Sequence, residues 1–86
     1  MKSIISINNQ SDVLVYTVPI GKKAVVFVDI WAFAPKTNVV VKINNYDYFS
    51  STVDYDLSIK LILDSGDNIT ISSTGQINVF VHGLEV

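Results

Sequence analysis

The stretch KAVVFVDIWAF, Lys23–Phe33, decides how this chain is read. It is built from β-branched and aromatic residues, which suit a pleated, half-buried surface better than a helix. In an extended strand successive side chains point to opposite faces. Ala24, Val26, Val28, Ile30 and Ala32 therefore share one face, and Val25, Phe27, Asp29, Trp31 and Phe33 share the other. Both faces are apolar, and only Asp29 breaks the second. A strand of this kind is ordinarily covered on both sides. In a small antiparallel domain one side faces outward, so the second cover must come from a loop of the same chain, the Asn45–Asp56 segment, or from another subunit.

Working outward, Ile4–Ile7 reads as a first strand, ended by the polar cluster Asn8-Asn9-Gln10-Ser11-Asp12, and Val13–Val18 as a second, stopped by Pro19 and Gly21. Downstream of the central strand, Ala34-Pro35-Lys36-Thr37-Asn38 reads as a turn and Val39–Asn44 as a fourth strand. The segment Asn45–Asp56 mixes aromatics with Ser, Thr and Asp without clean alternation, which predicts a short strand at Tyr46–Phe49 followed by a polar loop. Leu57–Leu63 alternates, and Asp64-Ser65-Gly66-Asp67 predicts a turn closing a hairpin onto Asn68–Ser72. Ser73–Gln76 predicts a further turn before Ile77–Val81. Gly83 then reads as a bulge that moves Leu84 and Val86 to the other phase.

These strands predict an all-β chain: a single domain over residues 1–86, a compact antiparallel two-sheet sandwich or small jelly roll of seven to eight strands. The alternation names its core. Val13 and Val15, or alternatively Leu14 and Tyr16, face inward, with Val39, Val41 and Ile43, then Leu57, Ile59, Leu61 and Leu63, then Ile69 and Ile71, and finally Ile77, Val79 and Val81.

Composition narrows the function. With 49% hydrophobic and 16% charged residues and a net charge of -2, the chain is too apolar for disorder. A domain this small buries only about 60% of its unfolded surface, which favours association with further copies. There is no cysteine, so disulfides, thiolate metal sites and cysteine nucleophiles are excluded. All six cations are lysine, and without arginine's bidentate fork nucleic-acid recognition is not expected. Polar residues from Ser6 to Asp12 interrupt the N-terminal apolar run, which predicts neither a signal peptide nor a membrane span.

The chemistry-bearing residues are few. His82 is the only histidine, which speaks against Ser-His-Asp or Cys-His catalysis and against a multi-histidine metal site within one chain. It reads as an exposed strand residue. Asp47, Asp54, Asp56, Asp64 and Asp67 match no calcium-loop spacing, and turn chemistry accounts for them. The single-glycine turns at Gly21 and Gly66 make no phosphate loop. No catalytic, cofactor or metal site is assigned. Tyr46, Tyr48 and Tyr55, with Trp31, form the one recognition-like set, because aromatic faces flanked by Asn and Asp suit a sugar ring or a protein partner.

Two segments carry a resemblance. VYTVPIGKKAVV (residues 15–26) resembles the "YTVP-x-G-K" opening of small β-sandwich structural proteins of tailed bacteriophages. LILDSGDNITISSTGQINVFVHGLEV (residues 61–86) resembles the close of the same proteins through Gly66, Asp67, Ile69, Gly75, Gly83, Glu85 and Val86. The resemblance implies a non-enzymatic virion component of the capsid-decoration, head-fibre or tail-associated type, made in the host cytoplasm without a leader. It implies a homo-oligomer that also meets other virion proteins, and it carries over no site residues. The expected interface is the Val25, Phe27, Trp31, Phe33 row. The alternative is a small carbohydrate- or host-surface-binding module.

Overall fold

A computed structural model describes all of residues 1–86. The backbone holds six strands: β1 (Lys2–Thr17), β2 (Ala24–Ala32), β3 (Thr37–Ile43), β4 (Tyr46–Val53), β5 (Asp56–Leu63) and β6 (Asn68–Glu85). No helix of the protein is long and apolar enough to cross a membrane. Every pairing is antiparallel, in the order β4-β3-β6-β2-β5, with β1 paired to β6 as well.

β6 is the spine. Its first part, Ile69–Ser73, pairs with β3; its second, Ile77–Glu85, pairs with β2; β1 accompanies it from Asn68 to His82. The result is one curled sheet with two limbs. One contains β5, β2 and the second part of β6; the other contains β4, β3 and the first part. The inward side chains of both limbs meet in a single cluster of 18 buried residues. The alternation rule holds through it: Val26, Val28, Ile30, Val39, Val41, Ile69, Ile71, Ile77, Val79 and Val81 are all buried. Leu57, Ile59 and Ile43 are only partly buried against this cluster.

The two polar clusters read as turns are bends instead. β1 runs unbroken through Asn8–Asp12 and β6 through Ser73–Gln76, so the expected seven to eight strands become six. The register moves from Asn8↔Gln76 to Gln10↔Ser73 and then Val13↔Ile71, and Asn9 (φ 51°) and Asp12 (φ 53°) take the left-handed conformation that Asn and Asp tolerate best. Both strands bend together and stay paired. Local groups satisfy the bend: the Asp12 N–H donates to Ser72 Oγ (2.8 Å) and Ser73 Oγ donates to the Gly75 carbonyl (2.7 Å). A further irregularity between Leu14 and Tyr16 settles the inward face of β1. Val15 is buried, Val13 and Tyr16 pack on the core, and Leu14 is exposed.

Three other expectations change. Asn45–Asp56 is largely strand, because β4 pairs along Thr37–Ile43, joined to β3 by a two-residue turn in which Asn44 (φ 52°) and Asn45 (φ 68°) both have positive φ, as a tight hairpin demands. Its alternation is poor because β4 is an edge strand whose side chains, apart from Phe49 and Val53, lie in solvent. The Asp64–Asp67 turn closes no hairpin, since β5 pairs only with β2; it carries the chain from one limb to the other. Gly83 is no bulge. The β2–β6 register runs unbroken from Ala24↔Glu85 to Ala32↔Ile77, and Leu84 stays on the outer face, exposed.

Candidate functional site

The registers of β5, β2, β6 and β1 place the outward side chains of the first limb in cross-strand rows. From one end, these are Ile62–Val25–Leu84, Lys60–Phe27–His82–Lys2, Ser58–Asp29–Phe80–Ile4 and Asp56–Trp31–Asn78–Ser6. Neighbours in a row sit one strand spacing apart, about 4.8 Å. The outer face of the other limb differs: its rows Thr52–Asn38, Ser50–Val40–Ser72 and Asp47–Lys42–Thr70–Leu14 are mostly polar, with Val40 and the exposed Leu14 their apolar members.

The expected interface residues Val25, Phe27, Trp31 and Phe33 do lie on the outer face and just past its end, and no loop covers them. Phe27, Trp31 and Phe33 are exposed, as are Ile62, Leu84 and Ile4 beside them. The covering loop expected from Asn45–Asp56 contributes one side chain: Tyr55 tilts against Trp31, ring centroids 6.3 Å apart at 42°. Tyr55 holds φ 72°, unusual for a bulky residue, while its carbonyl accepts the Ala32 N–H at 2.6 Å. Tyr46 and Tyr48 lie on β4, at the opposite end of the strand order from β5, so the structure joins Tyr55 to Trp31 and separates both from the other two tyrosines.

Sequence reading missed the centre of the face. Ser58 Oγ donates to Asp29 Oδ1 (2.7 Å), and His82 Nε2 lies 2.9 Å from Asp29 Oδ2. The imidazole stacks on Phe27 (5.3 Å, 18°) and meets Phe80 edge-on (4.9 Å, 73°), so His82 is half-buried rather than simply exposed. The Ser58 hydroxyl, followed by the His82 hydrogen bond and charge, holds the Asp29 carboxyl below the usual carboxylate range. The order is Ser–Asp–His, with the carboxylate in the middle. The imidazole does not touch the serine and is not placed to take its proton, unlike in a Ser-His-Asp relay. The signal that could have found this cluster is Asp29 itself, the one polar residue of the Val25–Phe33 row.

Asp67 and Asp54 serve turns. Asp67 accepts from Asn44 Nδ2 and from the Asp64 N–H, both at 2.8 Å, and these bonds lower its pKa. Asp54 Oδ1 accepts the Lys36 N–H at 2.6 Å. Asp56 faces the open end of the row beside Trp31, where Ile4, Asp29, Trp31, Asp56, Asn78 and Phe80 help to line an open depression of about 480 Å³.

The exposed Phe27, Ile62 and Leu84 give way within the same face to the mixed aromatic and polar row Asp56–Trp31–Asn78. No family model matches the chain, and no match was found among the curated proteins or the solved structures.

Proposed function

We propose that the protein is a non-enzymatic structural component of a bacteriophage virion, a two-sheet sandwich of jelly-roll type that assembles with further copies of itself and with neighbouring virion proteins. The observation that carries this reading is the asymmetry of the two outer faces. Lone exposed apolar residues are ordinary, but a contiguous apolar patch on one face opposite a polar one marks an interaction surface. The row Ile62–Val25–Leu84 with Phe27 below it is such a patch, with Ile62 77% and Leu84 69% exposed. A second copy suits it because an apolar patch can meet the same patch across a two-fold axis, the isologous arrangement of most symmetric oligomers. An 86-residue chain also gains most from the added burial.

Light scattering at several concentrations tests the self-assembly. A defined oligomer that dissociates in both Phe27→Ser and Ile62→Ser, while Asn38→Ala on the polar face leaves it unchanged, supports the reading. A monomer at every concentration, or a mass unchanged in both variants, overturns it. The virion assignment is tested separately by mass spectrometry of purified particles, in which the chain is expected and its absence would refute the assignment.

A further inference from the structure

Independently of assembly, the geometry points to a second function at the other end of the same face: a binding site for a neutral hexopyranose, centred on Trp31. The face is chemically divided. Its Ile62–Val25–Leu84 end carries no hydrogen-bonding side chain, whereas the row Asp56–Trp31–Asn78 puts an aromatic platform between a carboxylate and a carboxamide. Each flanking residue is one strand away, about 4.8 Å, so hydrogen-bonding groups stand on both sides of the indole. Trp31 is 52% exposed, and Tyr55, tilted against it, extends the aromatic surface.

A pyranose has the matching chemistry. One face of the ring presents C–H groups that pack on an indole, and its rim carries hydroxyls that both donate and accept. Asn78 Oδ1 already accepts the Ser6 hydroxyl at 2.7 Å, which orients the carboxamide and leaves its two N–H donors for a ligand. The Asp56 carboxylate is acceptor-only and accepts a hydrogen bond from a ring hydroxyl on the opposite side. Ile4 and Phe80 supply an apolar wall, and the depression of about 480 Å³ falls in the usual range for a small-ligand site.

Charge selects within the sugars. Asp56 and Asp29 both line the depression, and the Asp29 carboxyl is held below its ordinary pKa. Lys60 is the cation of the same face nearest along β5, and it lies two rows away, opposite Phe27. An anionic sugar stacked on Trp31 would meet the Asp56 carboxylate with no lysine nearer than two rows away and with His82 already engaged by Asp29, so the site takes neutral hexosides and rejects sialic acid. A quaternary ammonium ion, which also favours tryptophan and carboxylate, would leave the Asn78 donors unused and calls for a more enclosing aromatic cage.

Trp31 is the only tryptophan, so intrinsic fluorescence reports on this site alone. The full-length protein is titrated with the methyl glycosides of glucose, galactose and mannose, with N-acetylglucosamine, with N-acetylneuraminic acid and with choline. A saturable change with at least one neutral sugar at millimolar strength, and none with N-acetylneuraminic acid or choline, is expected. Calorimetry with that sugar then shows affinity at least tenfold weaker in both Trp31→Ala and Asp56→Ala, with the far-ultraviolet spectrum and melting temperature of each variant showing that it folds. No response to any neutral sugar up to about 100 mM, which corresponds to binding weaker than about 1.4 kcal/mol, would overturn the inference. So would preferential binding of choline or sialic acid, or undiminished binding by folded Trp31→Ala. Solution mass, measured without sugar, separates this outcome from the fate of the assembly reading.

Discussion

Gly83 lies against the backbone of Val25 so closely that a β-carbon there would stand 2.0 Å from the Val25 carbonyl oxygen and 3.2 Å from Val26 Cα. Its φ of +149° is also one that side-chain-bearing residues rarely adopt. The close approach lets β2 and β6 keep their register to the end of the sheet, where the Lys23 and Val86 backbones exchange hydrogen bonds of 2.9 and 2.8 Å. Gly83→Ala is therefore expected to destabilise the fold by about 3 kcal/mol or more, because a backbone atom must move. Gly75→Ala, whose β-carbon meets the Thr37 side chain at 3.3 Å, should cost less. Urea unfolding of the two variants side by side checks the contrast.

Tyr16 ties the two limbs together. Its hydroxyl donates to Glu85 Oε2 at 2.5 Å, across 69 residues of chain. Burial first, and then the hydrogen bond to Glu85 and its negative charge, push the phenol up to about 12. The folded state holds this proton more tightly than the unfolded state, so the stabilisation is full below the ordinary tyrosine value near 10. It is lost as the pH rises from there through 12. Tyr16→Phe should lower stability by about 1 kcal/mol at neutral pH and remove the tyrosinate absorbance that develops near pH 12.

At the acid end the sign reverses. The Asp29 carboxyl is held low by Ser58 and His82, so its contribution is present above the ordinary carboxylate pKa and disappears as the pH falls through the depressed folded value. Asp29→Asn should flatten the acid limb of a melting-temperature profile against pH. An unchanged acid limb in that variant would show that the Ser58–Asp29–His82 cluster adds nothing to stability.

Asp67 links two turns that are far apart in sequence, through Asn44 and through the Asp64 N–H. Asn44 in turn accepts the Asn68 N–H at 3.0 Å. Asp67→Ala should lower stability, because the Asn44 carboxamide and the Asp64 N–H both lose their acceptor. It should also speed amide exchange at Asp64. Asn44→Ala should cost no less, since it also replaces a residue at φ 52° with one that tolerates that conformation poorly. Hydrogen exchange at both turns measures the coupling.

Side-chain alternation by itself determined the inward faces of β3, β5 and β6, because a strand's period of two leaves only one phase that buries Val39 and Val41, Leu61 and Leu63, or Ile69, Ile71 and the Ile77–Val81 set. It separated the two rows of β2, both apolar, and the tertiary structure chose Val26, Val28 and Ile30 as the inward one. What only the tertiary structure decided is how the strands connect. Asn8–Asp12 and Ser73–Gln76 have turn composition, yet the same Asn, Asp, Ser and Gly residues serve equally well for a bend. Whether the chain reverses or bends depends on whether a partner strand bends with it, a contact between Asn8 and Gln76, 68 residues apart in sequence. The same non-local pairing sets Ser58 opposite Asp29, brings His82 to Asp29 from the adjacent row, and places Asp56 and Asn78 to either side of Trp31. No local pattern contains those rows, since each of their residues comes from a different strand.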